Sequence, residues 1–193
     1  MPASHGPQAF PRERPLPPPP WVLVGLRGAG KTTVGRALAT LSGRAFVDLD
    51  QVLERRTGSS IATLLDEGEA RFRQLEADLL RTSLELLCLG TPQAAVLATG
   101  GGVVLDPESR RLLAALPVIY LEASPALLAS RVGADAQERP ALVSGGPLAE
   151  AEALLAVRGA FYSELATHVL DASLPPDEVA AAAYACLGGE AAG

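Results

Sequence analysis

From Trp21 onward, short apolar runs alternate with longer stretches whose apolar residues recur every three or four positions. That alternation predicts strands separated by helices, and so an α/β fold around a parallel sheet. The run WVLVG, Trp21 to Gly25, suits a strand buried on both faces, and it leads directly into the glycine loop. Lys31 to Ser42 predicts a helix carrying Val34, Leu38 and Leu41 on one face. Phe46 to Asp50 predicts the second strand. Helical spacing resumes near Ser60, breaks near Gly68, and continues through Leu75, Leu79 and Leu86. Ala95 to Thr99 predicts a third strand that runs into Gly100, Gly101 and Gly102. A helix over Pro107 to Leu116, a strand over Pro117 to Glu122 and a helix over Pro125 to Val132 follow. A helix through Leu155, a short strand around His168 to Leu170 and a last helix from Pro176 complete the pattern. The expected fold is a single α/β domain with a five-stranded parallel sheet flanked by helices.

Residues 1–20 are Pro-rich and read as an extended or disordered tail ahead of a domain spanning 21–188, with 189–193 as a second short tail. Residues 133–147 break the rhythm with Gly133, Pro140, Gly145, Gly146 and Pro147, the composition expected of a mobile lid.

The formal net charge of −6 argues against nucleic acid as a partner. No apolar run approaches the ~18 residues of a membrane span, and the first twenty residues hold no signal-peptide core, so cytoplasm is the expected location. Cys88 and Cys186 lack metal-ligand spacing and are expected to be buried small hydrophobes. Of sixteen basic residues fifteen are arginine, and the single lysine is Lys31. A compact ammonium and a planar guanidinium fork are not interchangeable, so this position calls for the former.

Lys31 completes a full phosphate-loop pattern, Gly25-Leu-Arg-Gly-Ala-Gly-Lys-Thr32, between a strand and a helix. Glycines let successive backbone amides turn toward phosphate oxygens, and the following helix aims its positive end at the same anion. On this chemistry Gly28, Ala29, Gly30, Lys31, Thr32 and Thr33 hold ATP, and the Thr32 hydroxyl is placed for Mg²⁺. Asp48 and Asp50 stand two apart at a strand end, where their side chains leave on one face. One carboxylate suits a magnesium-bound water and the other the proton of an attacking hydroxyl. Strand-end aspartates also cap the next turn or helix, and beside a phosphate loop the chemical reading prevails. Gly100, Gly101 and Gly102 at another strand end permit close approach to a ligand, a weaker signal.

Together with the phosphate loop, the segments FVDLDQVLERRTG, EARFRQLEADLL, LATGGGVV, VIYLE, ERPAL and RGAFYSELA resemble the shikimate kinase family in order and spacing, over roughly residues 21–187. The resemblance implies a fold like that of nucleoside monophosphate kinases, and transfer of the ATP γ-phosphoryl to the 3-hydroxyl of shikimate. It further implies that Thr32 and Asp48 serve Mg²⁺ and that Asp50 binds the acceptor hydroxyls as base. Arg73 and Arg158 would pair with the acceptor carboxylate, and Gly100 to Gly102 would line its site. Arg139 in the lid would reach the ATP phosphates on closure, Arg131 would lie near adenine, and the chain would act as a monomer. Leu174-Pro175-Pro176 departs from relatives that carry an arginine there.

Kinases of similar fold acting on gluconate or a nucleoside monophosphate remain alternatives at this point. A guanine-nucleotide switch is disfavoured, because an N-K-x-D motif needs an asparagine and this chain has none. An inactive relative is disfavoured by the presence of every expected charged residue near the chemistry.

Overall fold

The computed structural model describes residues 18–90, 94–134 and 145–188. Residues 135–144 of the expected lid, including Arg139, lie outside the described residues, as do 1–17 and 189–193 of the two tails.

Among the described residues five strands form one sheet: β1 (Trp21–Val24), β2 (Ala45–Asp48), β3 (Ala95–Ala98), β4 (Val118–Glu122) and β5 (His168–Asp171). Their order is β2-β3-β1-β4-β5, and every pairing is parallel. The central strands β1 and β3 are buried at every residue, which is why they read as unbroken apolar runs. Edge strand β5 alternates between half-buried and exposed positions.

Among the described residues eight α-helices connect or follow the strands: α1 (Lys31–Ser42), α2 (Leu49–Thr57), α3 (Ile61–Glu67), α4 (Glu69–Glu85), α5 (Pro107–Leu113), α6 (Pro125–Ala134), α7 (Gly146–Leu165) and α8 (Pro176–Cys186). From β1 the chain passes over β3 to reach β2, then returns and crosses to β4 and β5. Right-handed crossovers put α1 on one face and the later connections on the other, and α8 comes back to pack on α1. The order reverses beside β1, so a crevice opens at the C-terminal ends of β1 and β3. Thr99 closes the base of that crevice by donating from Oγ1 to the Leu23 carbonyl at 3.1 Å.

Several boundaries differ from the sequence reading. The second strand stops at Asp48, and Asp50 belongs to the first turn of α2, a helix the reading missed. Asp48 is its N-cap and accepts from the Gln51 amide at 3.3 Å, an exchange that ends the strand. The helical stretch after Ser60 divides at Gly68 into α3 and α4, and Leu86 begins a π-helical turn with its side chain exposed. The helix from Pro107 ends at Leu113, three residues early. In α1 the buried stripe is Val34, Gly35, Leu38 and Ala39; Leu41, in the last turn at the stripe's edge, is 51% exposed. The cysteines are not both buried: Cys88 is half-buried, and Cys186, at the end of α8, is exposed. No described helix is long and apolar enough to cross a membrane.

Candidate active site

The crevice is a cleft of about 990 Å³, lined on one side by the Gly28–Val34 segment and on the other by Asp48, Asp50, Thr99 and Gly101. Gly30, at φ 87°, supplies the left-handed turn that starts α1, and it has no side chain to cap the helix. The amides of the first turn therefore face the cleft, and no acidic residue in that turn competes for them. The Lys31 ammonium lies over the loop, donating to the carbonyls of Gly25 at 2.8 Å and Leu26 at 2.9 Å. Thr33 also lines the cleft.

Thr32 reaches across to β2 and donates its hydroxyl to the Asp48 carboxylate at 2.6 Å. This is a pair of hard oxygens beside the phosphate loop. Among the described residues no group of three or more His, Cys, Asp and Glu could cage a metal. A threonine hydroxyl and one carboxylate fit Mg²⁺, which keeps several waters and takes phosphate oxygens as ligands.

Arg131 lines the opposite end of the cleft with Ala172, Leu174 and Pro176. Its guanidinium donates to the Gly28 carbonyl at 3.3 Å and to the Ala172 carbonyl at 2.9 Å, joining the phosphate loop to the segment after β5.

Behind Gly101 sits a cluster of charged side chains. Arg73 on α4 donates to Glu76 at 2.8 Å and to Glu69 at 3.2 Å. Arg158 on α7 is only 5% exposed, and its Nη1 donates to the Gly101 carbonyl at 3.2 Å. Its buried Nε has no hydrogen-bond partner among the described residues. A buried donor without an acceptor is costly unless a ligand supplies one. Tyr162, one turn further along α7, also donates to the Gly101 carbonyl.

Glu76 is 5% exposed, and burial pushes its carboxyl up. Arg73, foremost, and Arg158 draw it back down, while the nearby Asp50 adds to the rise. A methyl at Gly100 would overlap Glu76 and come within 2.9 Å of the Asp50 carboxylate. One at Gly102 would overlap the Arg73 guanidinium, whereas one at Gly101 meets nothing closer than 3.4 Å. Glu76, Asp50 and Arg73 thus approach Gly100 and Gly102 more closely than a side chain there would allow without their moving.

The structure therefore brings together the expected Lys31, Thr32, Asp48, Asp50, Gly101 and Arg131 along one cleft, and sets Arg73 and Arg158 around the glycine loop beside it. Arg139 falls outside the described residues. Sequence reasoning assigned no role to Glu76 or Tyr162. The spacing Arg73-x-x-Glu76 on a helix was a usable signal for the first; nothing local marked the second.

A family model for shikimate kinase matches residues 27–187. The chain is 48% identical over 151 residues to a shikimate kinase of Chromobacterium violaceum, covering 77% of this chain and 78% of that one. It is 43% identical over 164 residues to shikimate kinase 2 of Sodalis glossinidius, covering 83% and 90%. Among solved structures it is similar to the shikimate kinase of Acinetobacter baumannii in complex with shikimate, with a TM-score of 0.78, 35% identity, and coverage of 90% and 95%. With a phosphate loop, an adjacent acidic pair and a guanidinium-lined glycine loop all in place, this chain belongs to the shikimate kinase family.

Proposed function

We infer that the chain transfers the γ-phosphoryl group of ATP to the 3-hydroxyl of shikimate, a step toward the aromatic amino acids. The observation that carries this reading is Arg158, a nearly buried guanidinium with an orphan Nε beside Arg73 and within reach of a phosphate-loop cleft. A carboxylate on the acceptor satisfies that donor and neutralises the buried guanidinium, whereas a neutral polyol could accept the hydrogen bond but supply no opposite charge.

The Lys31 ammonium leaves the carbonyls of Gly25 and Leu26 for the β- and γ-phosphates, and the Gly28–Thr33 amides surround them. Thr32 and Asp48 would hold Mg²⁺, which when bound would supply charge neutralisation at the phosphate oxygens. Arg131 and Pro176 border the adenine end. Arg73 and Arg158 fix the acceptor by its carboxylate, with the Gly101 amide directed at it. Asp50 orients the hydroxyl and takes its proton as the oxygen attacks phosphorus in line. Arg139, which lies outside the described residues, supplies a further cation to the phosphates. The enzyme acts as a monomer.

The test is Asp50→Asn, which keeps the shape and removes the base. Turnover should fall by about 10²- to 10⁴-fold while shikimate still binds. Near-normal turnover would remove Asp50 from the mechanism.

A further inference from the structure

We propose that Tyr162 is a positioning residue for the acceptor: its hydroxyl holds the Gly101 carbonyl so that Arg158 can give its guanidinium to the acceptor's carboxylate. The proposal rests on the reading of the acceptor as a small carboxylic acid.

Arg158 and Tyr162 stand four residues apart on α7 and so share a face. Both donate to one atom, the Gly101 carbonyl oxygen. A carbonyl oxygen has two lone pairs and can accept both. Arg158, however, has two calls on it. Its Nη1 serves the glycine loop, while its buried Nε lacks an acceptor, so a shift toward an incoming carboxylate draws the guanidinium off the loop. If Arg158 were the only donor, that shift would strip a partly buried carbonyl of its partner and weaken binding. With Tyr162 in place the carbonyl keeps a hydrogen bond.

The same contact sets the direction of the loop. The Gly101 carbonyl and the Gly102 amide belong to one planar peptide unit, so holding one aims the other. Gly101 and Gly102 have no side chain to pin that plane. Tyr162 is well placed to do so, because its side chain is fully buried and its ring stacks on Tyr120 with centroids 5.1 Å apart. Burial, foremost, raises its phenol, so the hydroxyl remains a donor throughout the working range.

Tyr162→Phe keeps the ring and its stacking partner and removes only the hydroxyl. Calorimetric binding of shikimate and steady-state kinetics should be run on wild type, Tyr162→Phe and the control Tyr120→Phe, each with its melting temperature. The expected result is a shikimate KM raised about tenfold in Tyr162→Phe, with the ATP KM within about twofold and Tm lowered by only about 2–4 °C. Tyr120→Phe should leave both KM values unchanged. If wild type binds shikimate and Tyr162→Phe keeps its KM, the proposal is overturned while the acceptor reading stands. Equal rises in both KM values alongside a large drop in Tm would also overturn it, by showing a general packing role. No shikimate binding to wild type would overturn the acceptor reading and the proposal with it.

Discussion

Arg73 and Glu76 form an ion pair of 2.8 Å within one turn of α4, and the carboxylate side chain is 6% exposed while the guanidinium is 20% exposed. Glu76 thus holds the open side of the pair in place for an incoming anion. Burial raises its carboxyl above the ordinary 4.5, so the folded protein holds this proton more tightly than the unfolded chain. From pH 4.5 upward through the raised folded value, stability should therefore fall as pH rises. Glu76→Gln should flatten that part of the stability profile, as read by denaturant midpoints at a series of pH values. It should also raise the shikimate KM about tenfold by freeing Arg73, with the ATP KM unchanged. An unchanged pH profile would contradict the burial argument.

Asp48 has two separable duties. Its carboxylate caps α2 at the Gln51 amide and accepts from Thr32. Asn is as good a cap as Asp, so Asp48→Asn should keep stability, whereas Asp48→Ala should lose about 1 kcal/mol. Both substitutions should raise the Mg²⁺ concentration for half-maximal activity by about 10- to 100-fold, because both remove the carboxylate. Parallel denaturation and Mg²⁺ titrations check this; a normal Mg²⁺ requirement in Asp48→Asn would assign Asp48 to capping alone.

The glycine loop predicts an order of tolerance. Gly101→Ala has room within the fold, with 3.4 Å to the nearest atom, and should keep the stability of the wild type. Gly100→Ala pushes on Glu76 and Asp50 and should lower kcat, while Gly102→Ala displaces Arg73 and should raise the shikimate KM. Strain of this kind costs about 1–3 kcal/mol, so each defect should be at least several-fold in single-variant kinetics. Equal tolerance at all three positions would contradict the packing described.

Much of this was legible in the sequence, and the exceptions have identifiable causes. The phosphate loop was readable because its chemistry is local: glycines, Lys31 and Thr32 act through adjacent backbone. The aspartate pair was readable as a site but for the wrong geometric reason. A strand spacing of two was applied to Asp48 and Asp50, although Asp48 with Gln51 three residues on, and Gly58 at the far end, marks a capped helix. Both carboxylates reach the cleft because an N-cap and the first turn beyond it face the same crevice. Arg73 and Arg158 could not be told from surface arginines by local pattern, since their placement depends on α4 and α7 each packing on the Val103–Leu105 turn that follows the glycine loop. Tyr162 escaped for the same reason: its partner lies sixty-one residues away. Cys186 shows the converse, an apolar neighbourhood in sequence that α8 nonetheless turns to solvent.

The account is tested most directly by ADP release from Mg·ATP with no acceptor and with shikimate, gluconate or AMP. Release should be slow alone and rise by about 10²-fold or more with shikimate only, because AMP lacks the carboxylate that Arg158 calls for and gluconate carries its carboxylate on an open chain that costs more to order. Stimulation by gluconate or AMP, with none by shikimate, would preserve the phosphate-loop kinase and contradict its acceptor.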